Sequence, residues 1–244
     1  MAHLDRLTDL TTHFALHIEP AAPEAAQLFI LESDMAHVVM LTNHLSGACQ
    51  LASDDRVLFA AQVNWGGARS PMLSALPGCL RYDTRDDPDI AAITALICAE
   101  HADRRCGAGS VLNRLAEVLF IRLLRAEVQR GSIETGLLAG LGDPRLARAL
   151  VAMHGAPGKD WSNSALANEA GLSLSRFLEL FRGRLGETPQ AYLRHWRLSL
   201  AQRDLERGDR IDALARRYGY GSPEALTPAF RRATGLAPTA LRRA

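Results

Sequence analysis

A pattern that occurs twice between Leu166 and Pro238 limits what this chain can fold into. Leu166-Ala167-x-x-x-Gly171 returns as Leu214-Ala215-x-x-x-Gly219, and Phe181-Arg182, Gly186 and Pro189 return as Phe230-Arg231, Gly235 and Pro238. The offset is 48 residues in the first part and 49 in the second. One small unit is therefore present in two copies, the second with a single insertion.

Each copy reads as helix, tight turn, helix. Leu166, Ala167 and Ala170 give a short helix one apolar face, and Gly171 supplies the left-handed residue that ends it. Ser173 stands at the cap of the next helix, and Ser222 does so in the second copy. A glycine turn between a short helix and one with a polar, basic outer face is the signature of a helix-turn-helix.

The net charge of +1 hides a division. From Leu141 onward there are 17 Arg or Lys against 10 Asp or Glu, and before it 11 against 17. A basic part suited to a polyanion follows an acidic part with another task. Lys159 is the one lysine, and Arg suits phosphate and guanine edges because its planar fork donates two bonds at once. No apolar run reaches the ~18 residues of a membrane span, and the first residues lack a basic start followed by an apolar stretch, so neither membrane nor secretion is expected. Cys49, Cys79, Cys98 and Cys106 show no C-x-x-C pair. Neither a disulfide framework nor a zinc site is indicated, and a reducing cytoplasm is the expected location.

Along the chain, residues 13–18, 27–31, 37–42, 48–52 and 57–63 are strand-length runs bounded by turn residues, which suggests a small sandwich or barrel. From Asp89 the period becomes helical through Ile90, Ile93, Leu96 and Ile97. A second helix, capped by Ser110, carries Val111, Leu112, Leu115, Val118, Leu119 and Leu123. The pair serves either as a dimer interface or as packing against the strands. Residues 131–143 read as a linker, and Asp143-Pro144 opens a helix with Leu146, Leu150 and Met153. Thr188-Pro189 opens a long helix with Tyr192, Trp196 and Leu200 on its buried face, and with Arg194, His195, Arg197 and Arg203 on its other sides. Two domains are expected, 1–135 and 141–244.

The second of these resembles the AraC/XylS type of bacterial transcription regulator. The resemblance rests on Leu166-Ala167 to Gly171, Phe177 with Phe181-Arg182, Gly186-x-x-Pro189-x-x-Tyr192-Leu193-x-x-Trp196-Arg197, Tyr218-Gly219-Tyr220 and Phe230-Arg231-Arg232-x-x-Gly235-x-x-Pro238. The N-terminal part is similar to the cupin-like sensor domains of that family. The resemblance implies an α+β chain: a small cupin-like β-barrel with two helices, then an all-α domain with two helix-turn-helix units joined by a long helix. It also implies sequence-specific double-stranded DNA as the partner, read in the major groove. A small-molecule effector, RNA polymerase and a second copy of the chain are further partners it leaves open.

On the first recognition helix the outward positions are Leu174, Ser175, Leu178 and Glu179, with Arg176 and Arg182 nearby. Glu179 can accept from cytosine N4 and Leu178 can touch a thymine methyl. Arg197 joins this set from the connecting helix. On the second recognition helix, Ser222, Pro223 and Glu224 form the first turn, while Thr227, Arg231 and Arg232 are expected to hold the DNA backbone. Pro228 falls inside that helix, where it removes the bond to the Glu224 carbonyl and is expected to kink it. Relatives often place an arginine there.

The competing reading is a cupin metalloenzyme with a helical appendage. His13 and His17 are four apart, and His37 and His44 stand alone. The H-x-H pair followed by a carboxylate that marks catalytic cupins is missing, so no catalysis, metal or cofactor is expected. Cys106 and Cys49 are candidates for redox sensing; Arg104 and Arg105 would favour a thiolate at Cys106.

Overall fold

Leu28, Phe29, Ile30 and Leu31 are apolar in succession, a pattern that suits a strand covered on both faces, and all four are buried. They begin β2 (Leu28–Glu32), the middle of a sheet ordered β1-β4-β2-β3-β5. Its other strands are β1 Leu16–Pro20, β3 His37–Thr42, β4 Val57–Trp65 and β5 Cys79–Asp83. Every pairing is antiparallel. The structure is a computed structural model that describes residues 16–33, 36–42, 51, 55–65, 78–131 and 135–241. The expected strand at 48–52 lies outside these apart from Leu51, as do residues 13–15 of the first.

Phe29 and Leu31 pack with Ala26, Met40 and Ala60 on one face of the sheet. Two helices follow the strands, α1 (Pro88–Asp103) and α2 (Ala108–Arg130). The Phe59 ring meets His101 of α1 edge-on at 5.3 Å. Asn113 of α2 donates to the Ile18 carbonyl at 2.9 Å. Asp87 caps α1 by accepting from the Asp89 and Ile90 amides, with Pro88 in the first turn. Arg104 closes α1 in the left-handed region at φ 48, and a four-residue turn brings α2 back. Ser110 is not the cap of α2. The helix begins at Ala108, and Gly107, at φ 85, already supplies the carbonyl that Ser110 and Val111 donate to. Leu112, Leu119 and Leu123 are buried, whereas Val111, Val118 and Leu96 are 42%, 46% and 56% exposed. The apolar stripe is thus wider than the surface it covers.

The described chain falls into two units, one formed within residues 15–130 and one that takes in residues 131–244. The second holds α3 (Leu137–Gly142), α4 (Pro144–Gly155), α5 (Asn163–Ala170), α6 (Leu174–Leu185), α7 (Pro189–Glu206), α8 (Ile211–Arg217), α9 (Pro223–Thr234) and α10 (Pro238–Leu241). The linker expected at 131–143 is overturned by α3, whose residues 137–141 are all buried. A six-residue helix buried all round has no polar side, so it shows no periodicity. Its glycine is a packing device: a Cβ on Gly140 would stand 2.7 Å from Leu185 Cδ1.

Asp143 caps α4 through the Arg145 amide at 2.9 Å, and Arg145 folds back onto the same carboxylate. The Arg145 guanidinium holds the Asp143 carboxyl down at about 2. Arg148 of α4 donates to the Glu169 and Ala170 carbonyls at the end of α5. α7 is the rod of this unit, with Tyr192, Trp196 and Leu200 buried as the spacing predicts. His154 of α4 stacks on Trp196 at 4.0 Å between ring centroids and hydrogen-bonds the Tyr192 hydroxyl through Nε2 at 2.7 Å. No helix among the described residues is long and apolar enough to cross a membrane.

Candidate nucleic-acid interface

The repeat produces the same geometry twice. Gly171 and Gly219 end the first helices at φ 66 and φ 70, and Gly186 and Gly235 end the second ones at φ 80 and φ 74. Glycine enters that region without a Cβ penalty. Ser173 accepts from the Arg176 amide and Ser222 from the Ala225 amide, both at 3.4 Å. Phe177 and Phe181 of α6, and Leu226 and Phe230 of α9, are fully buried. The opposite faces are thereby turned outward.

On α6 that face carries Leu174, Ser175, Arg176, Glu179 and Arg182, all exposed, with Leu178 half-buried beside them. Arg176 Nη1 lies 2.8 Å from Glu179 Oε2, one helical turn apart. A pair this exposed contributes only ~0.3–0.5 kcal/mol, so either partner can be exchanged for a base edge or a phosphate. On α9 the outward residues are Glu224, Pro228, Arg231 and Arg232; Ser222, Pro223 and Thr227 are partly covered. Pro228 stands inside α9 without ending it. The helix runs unbroken from Pro223 to Thr234, and the Thr227 hydroxyl donates to the Pro223 carbonyl at 2.8 Å. A single missing backbone bond on the solvent side leaves Leu226, Ala229 and Phe230 packed.

Arg197, placed with the DNA-binding set by the sequence, also ties elements together. Its Nε donates to the Pro157 carbonyl at 2.6 Å and its Nη2 to the Lys159 carbonyl at 2.8 Å. Burial lowers its pKa. The side chain is a strap from α7 to the loop that leads into α5, with two of its donors committed to backbone.

A second tie escaped the sequence reading altogether. Asp204 of α7 has a side chain only 4% exposed. Its Oδ2 accepts from the Tyr218 hydroxyl at 2.5 Å and from Arg217 at 2.6 Å, and its Oδ1 accepts from Arg203 Nε at 2.7 Å. Burial pushes this carboxyl up, but the three donors outweigh it and the pKa ends below the usual range. Burial and the neighbouring Asp204 push the Tyr218 hydroxyl up to about 12. The two ties fasten both helix-turn-helix units to one rod.

The remaining candidates lie in the N-terminal unit. His17 is exposed, between Glu19 at 2.6 Å and Asn113. No group of three His, Cys, Asp or Glu among the described residues could hold a metal ion. Cys106 is free and exposed, and Cys98 is free with its thiol pushed up to about 11 by burial. Arg105, beside Cys106, is paired with Asp103 at 2.5 Å. Cys79 is disulfide-bonded, contrary to the expectation from spacing; a bridge needs proximity in space and leaves no fixed interval in sequence. Cys49, His13 and His44 lie outside the described residues.

The sequence matches the family described as Helix-turn-helix domain over residues 166–244 and the family described as Cupin over residues 11–129. A protein of Streptomyces lividans described as an AraC-like transcription regulator is 32% identical over 190 residues, 76% of this chain and 62% of that protein. One of the same description from Streptomyces antibioticus is 38% identical over 130 residues, 52% of this chain and 43% of that protein. The HTH-type transcriptional regulator AlkR of Acinetobacter baylyi is 32% identical over 168 residues, 67% of this chain and 55% of that protein. The chain therefore spans less than two thirds of the length of each of these relatives. Among solved structures, the DNA-binding domain of AdpA in complex with a target DNA is 34% identical, over 41% of this chain and 91% of that chain, with a TM-score of 0.38. With the helix-turn-helix repeat matched at one end, the cupin segment at the other and AraC-like regulators aligned to most of its length, the chain belongs to the AraC/XylS family.

Proposed function

We propose that the protein is a cytoplasmic, sequence-specific DNA-binding regulator of transcription and not an enzyme. The observation that carries this reading is the pair of capped, outward-facing helices α6 and α9 held on one rod. The 18 residues of α7 make a rod of ~27 Å at ~1.5 Å per residue, comparable to the ~34 Å between successive major grooves. α6 supplies base reading through Ser175, Leu178 and Glu179, with Leu174 at the groove entry and Arg176 and Arg182 toward phosphates. α9, led by Ser222, Pro223 and Glu224, anchors the backbone through Thr227, Arg231 and Arg232.

The N-terminal unit receives a small effector or a redox signal, for which Cys106, a free thiol, and Cys49 are the candidate cysteines. It pairs two copies of the chain through the exposed apolar side chains Leu96, Val111 and Val118. A change in that unit would bias how two DNA-binding units are presented, and RNA polymerase is the machinery they would act on.

Fluorescence anisotropy on fragments of genomic DNA should find binding that weakens linearly in log–log form as salt rises, with one site preferred over random sequence. Equal affinity for all sequences at every salt concentration would reject the reading. Pro228→Arg restores a backbone donor to α9 and adds a guanidinium on its outward face. It should tighten binding roughly tenfold, within the ~1–3 kcal/mol of one good contact. Unchanged or weaker binding would mean that the proline belongs to the docking geometry of α9.

A further inference from the structure

Between α7 and α9 lies a cleft of about 500 Å³, lined from the rod by Arg194 and His195, from α9 by Ala225, Ala229 and Arg232, and from the turn before α9 by Tyr220. Ala225 and Ala229 sit four residues apart on one side of α9 and leave the cleft without bulk. No carboxylate lines it. Beside it, Glu187 Oε2 is 2.9 Å from His195 Nδ1.

Two features give the cleft a chemistry. Arg194 and Arg232 are exposed and form no ion pair among the described residues, unlike Arg203 and Arg217, which are spent on Asp204. The Tyr220 hydroxyl is buried without a hydrogen-bond partner. A buried polar group left unpaired costs free energy, and native structures keep few of them unless a ligand or water completes the site. Two guanidinium donors and an unanswered hydroxyl share one want, an anionic oxygen acceptor.

We infer that this cleft seats a phosphodiester oxygen of the DNA strand bordering the groove that α9 enters, with Arg194, Arg232 and Tyr220 as its donors. The inference rests on the DNA-binding reading above and adds residues of the connecting rod to the interface. Arg232 follows the outward Arg231 by one position, so the cleft runs along the flank of α9. That flank is where the backbone passes when a helix lies in the major groove. A phosphate held there touches the rod and the recognition helix together, and so fixes the register of the second unit without reading a base.

The test compares the full chain with Arg194→Gln and Tyr220→Phe, using anisotropy on the preferred fragment and on random DNA from about 50 to 200 mM salt. Arg194→Gln should reduce the salt slope by ~0.9, the value of one lost phosphate contact. It should weaken both DNAs by the same factor, so that the preference ratio stays constant. Tyr220→Phe should weaken both DNAs equally with the slope retained. An unchanged slope in Arg194→Gln, in a protein whose slope does fall in Arg231→Gln, would overturn the inference and leave the regulator reading intact. A wild-type chain that binds no DNA would sink that reading itself. Inorganic phosphate is titrated alone as a separate arm; millimolar phosphate binding that disappears in Arg194→Gln while the DNA salt slope of that variant stays unchanged would assign the cleft to a free anion and reject the DNA phosphate.

Discussion

Asp204→Ala is expected to remove about 3–5 kcal/mol from the stability of the C-terminal unit, the range for breaking a buried ionic group by deleting one partner. The size follows from what is stranded. The Tyr218 hydroxyl, Arg217 and Arg203 all point at this carboxylate, and Arg217 Nη1 would keep Asp209, also at 2.6 Å. Tyr218→Phe, which deletes one hydrogen bond to a charged group, should cost about 1.5–3 kcal/mol. The exposed pair Arg176–Glu179 should cost a tenth of the Asp204 value or little more. Hydrogen exchange would locate the loss: amides of α8 and α9 should lose protection before those of α5 and α6. Uniform loss across the unit would show that Asp204 supports the whole core and does not tie the second helix-turn-helix to the rod.

The same carboxylate makes the unit acid-sensitive. Its folded pKa lies below the ordinary value near ~3.9. A depressed carboxyl contributes stability that is fully present above the unfolded pKa and is lost as pH falls through the folded one. Asp143, held at about 2 by Arg145, acts in the same direction at the start of α4. Denaturant midpoints should therefore stay level down to about pH 5 and fall below pH 4. The fall should be shallower in Asp204→Asn, which has no proton to take up at that position.

How much of this was legible in the sequence depended on distance along the chain. The repeat, its glycines and its serine caps were readable because a left-handed turn and a cap are decided within four residues. The buried faces of α6 and α7 followed from spacing for the same reason. The ties of Arg197 left no local signal because its partners, the Pro157 and Lys159 carbonyls, are 40 and 38 residues away; an arginine among arginines shows its acceptor only in the fold. Asp204 gave no signal, since it reads as one more polar residue on a long helix and its partners Arg217 and Tyr218 arrive 13 and 14 residues later. α3 was lost to its own composition: three leucines, two glycines and no polar face resemble a flexible join, whereas Gly140 is there to admit Leu185. In the candidate interface, residue types and outward directions could be read from period and capping, but which arginines stay unpaired could not.

Gly158→Ala should be the most damaging small substitution for DNA binding. A Cβ at Gly158 would stand 2.1 Å from the Arg217 carbonyl oxygen, and one at Gly219 2.8 Å from the Gly158 carbonyl oxygen. Both obstacles are backbone, so no rotamer change relieves them. The loop that contains Gly158 leads into the first helix-turn-helix, and Arg217 to Gly219 is the turn of the second. An added methyl therefore pushes one unit away from the other while the Arg197 strap resists. Overpacking of this kind costs about 1–3 kcal/mol in stability, which a folded unit can survive. The functional loss should be larger. Two modules that engage together gain ~10²–10⁴ in affinity over one alone, and the gain vanishes when geometry forbids simultaneous contact. Gly158→Ala should thus bind the preferred fragment roughly a hundredfold more weakly. Footprinting should find the α6 half of the site still protected and the α9 half open. Gly183→Ala on α6, where an added Cβ meets nothing within 4 Å, should instead raise stability by up to ~1 kcal/mol. Wild-type affinity with full protection in Gly158→Ala would mean that the two units adjust independently on DNA, and that the close approach of their backbones belongs to folding alone.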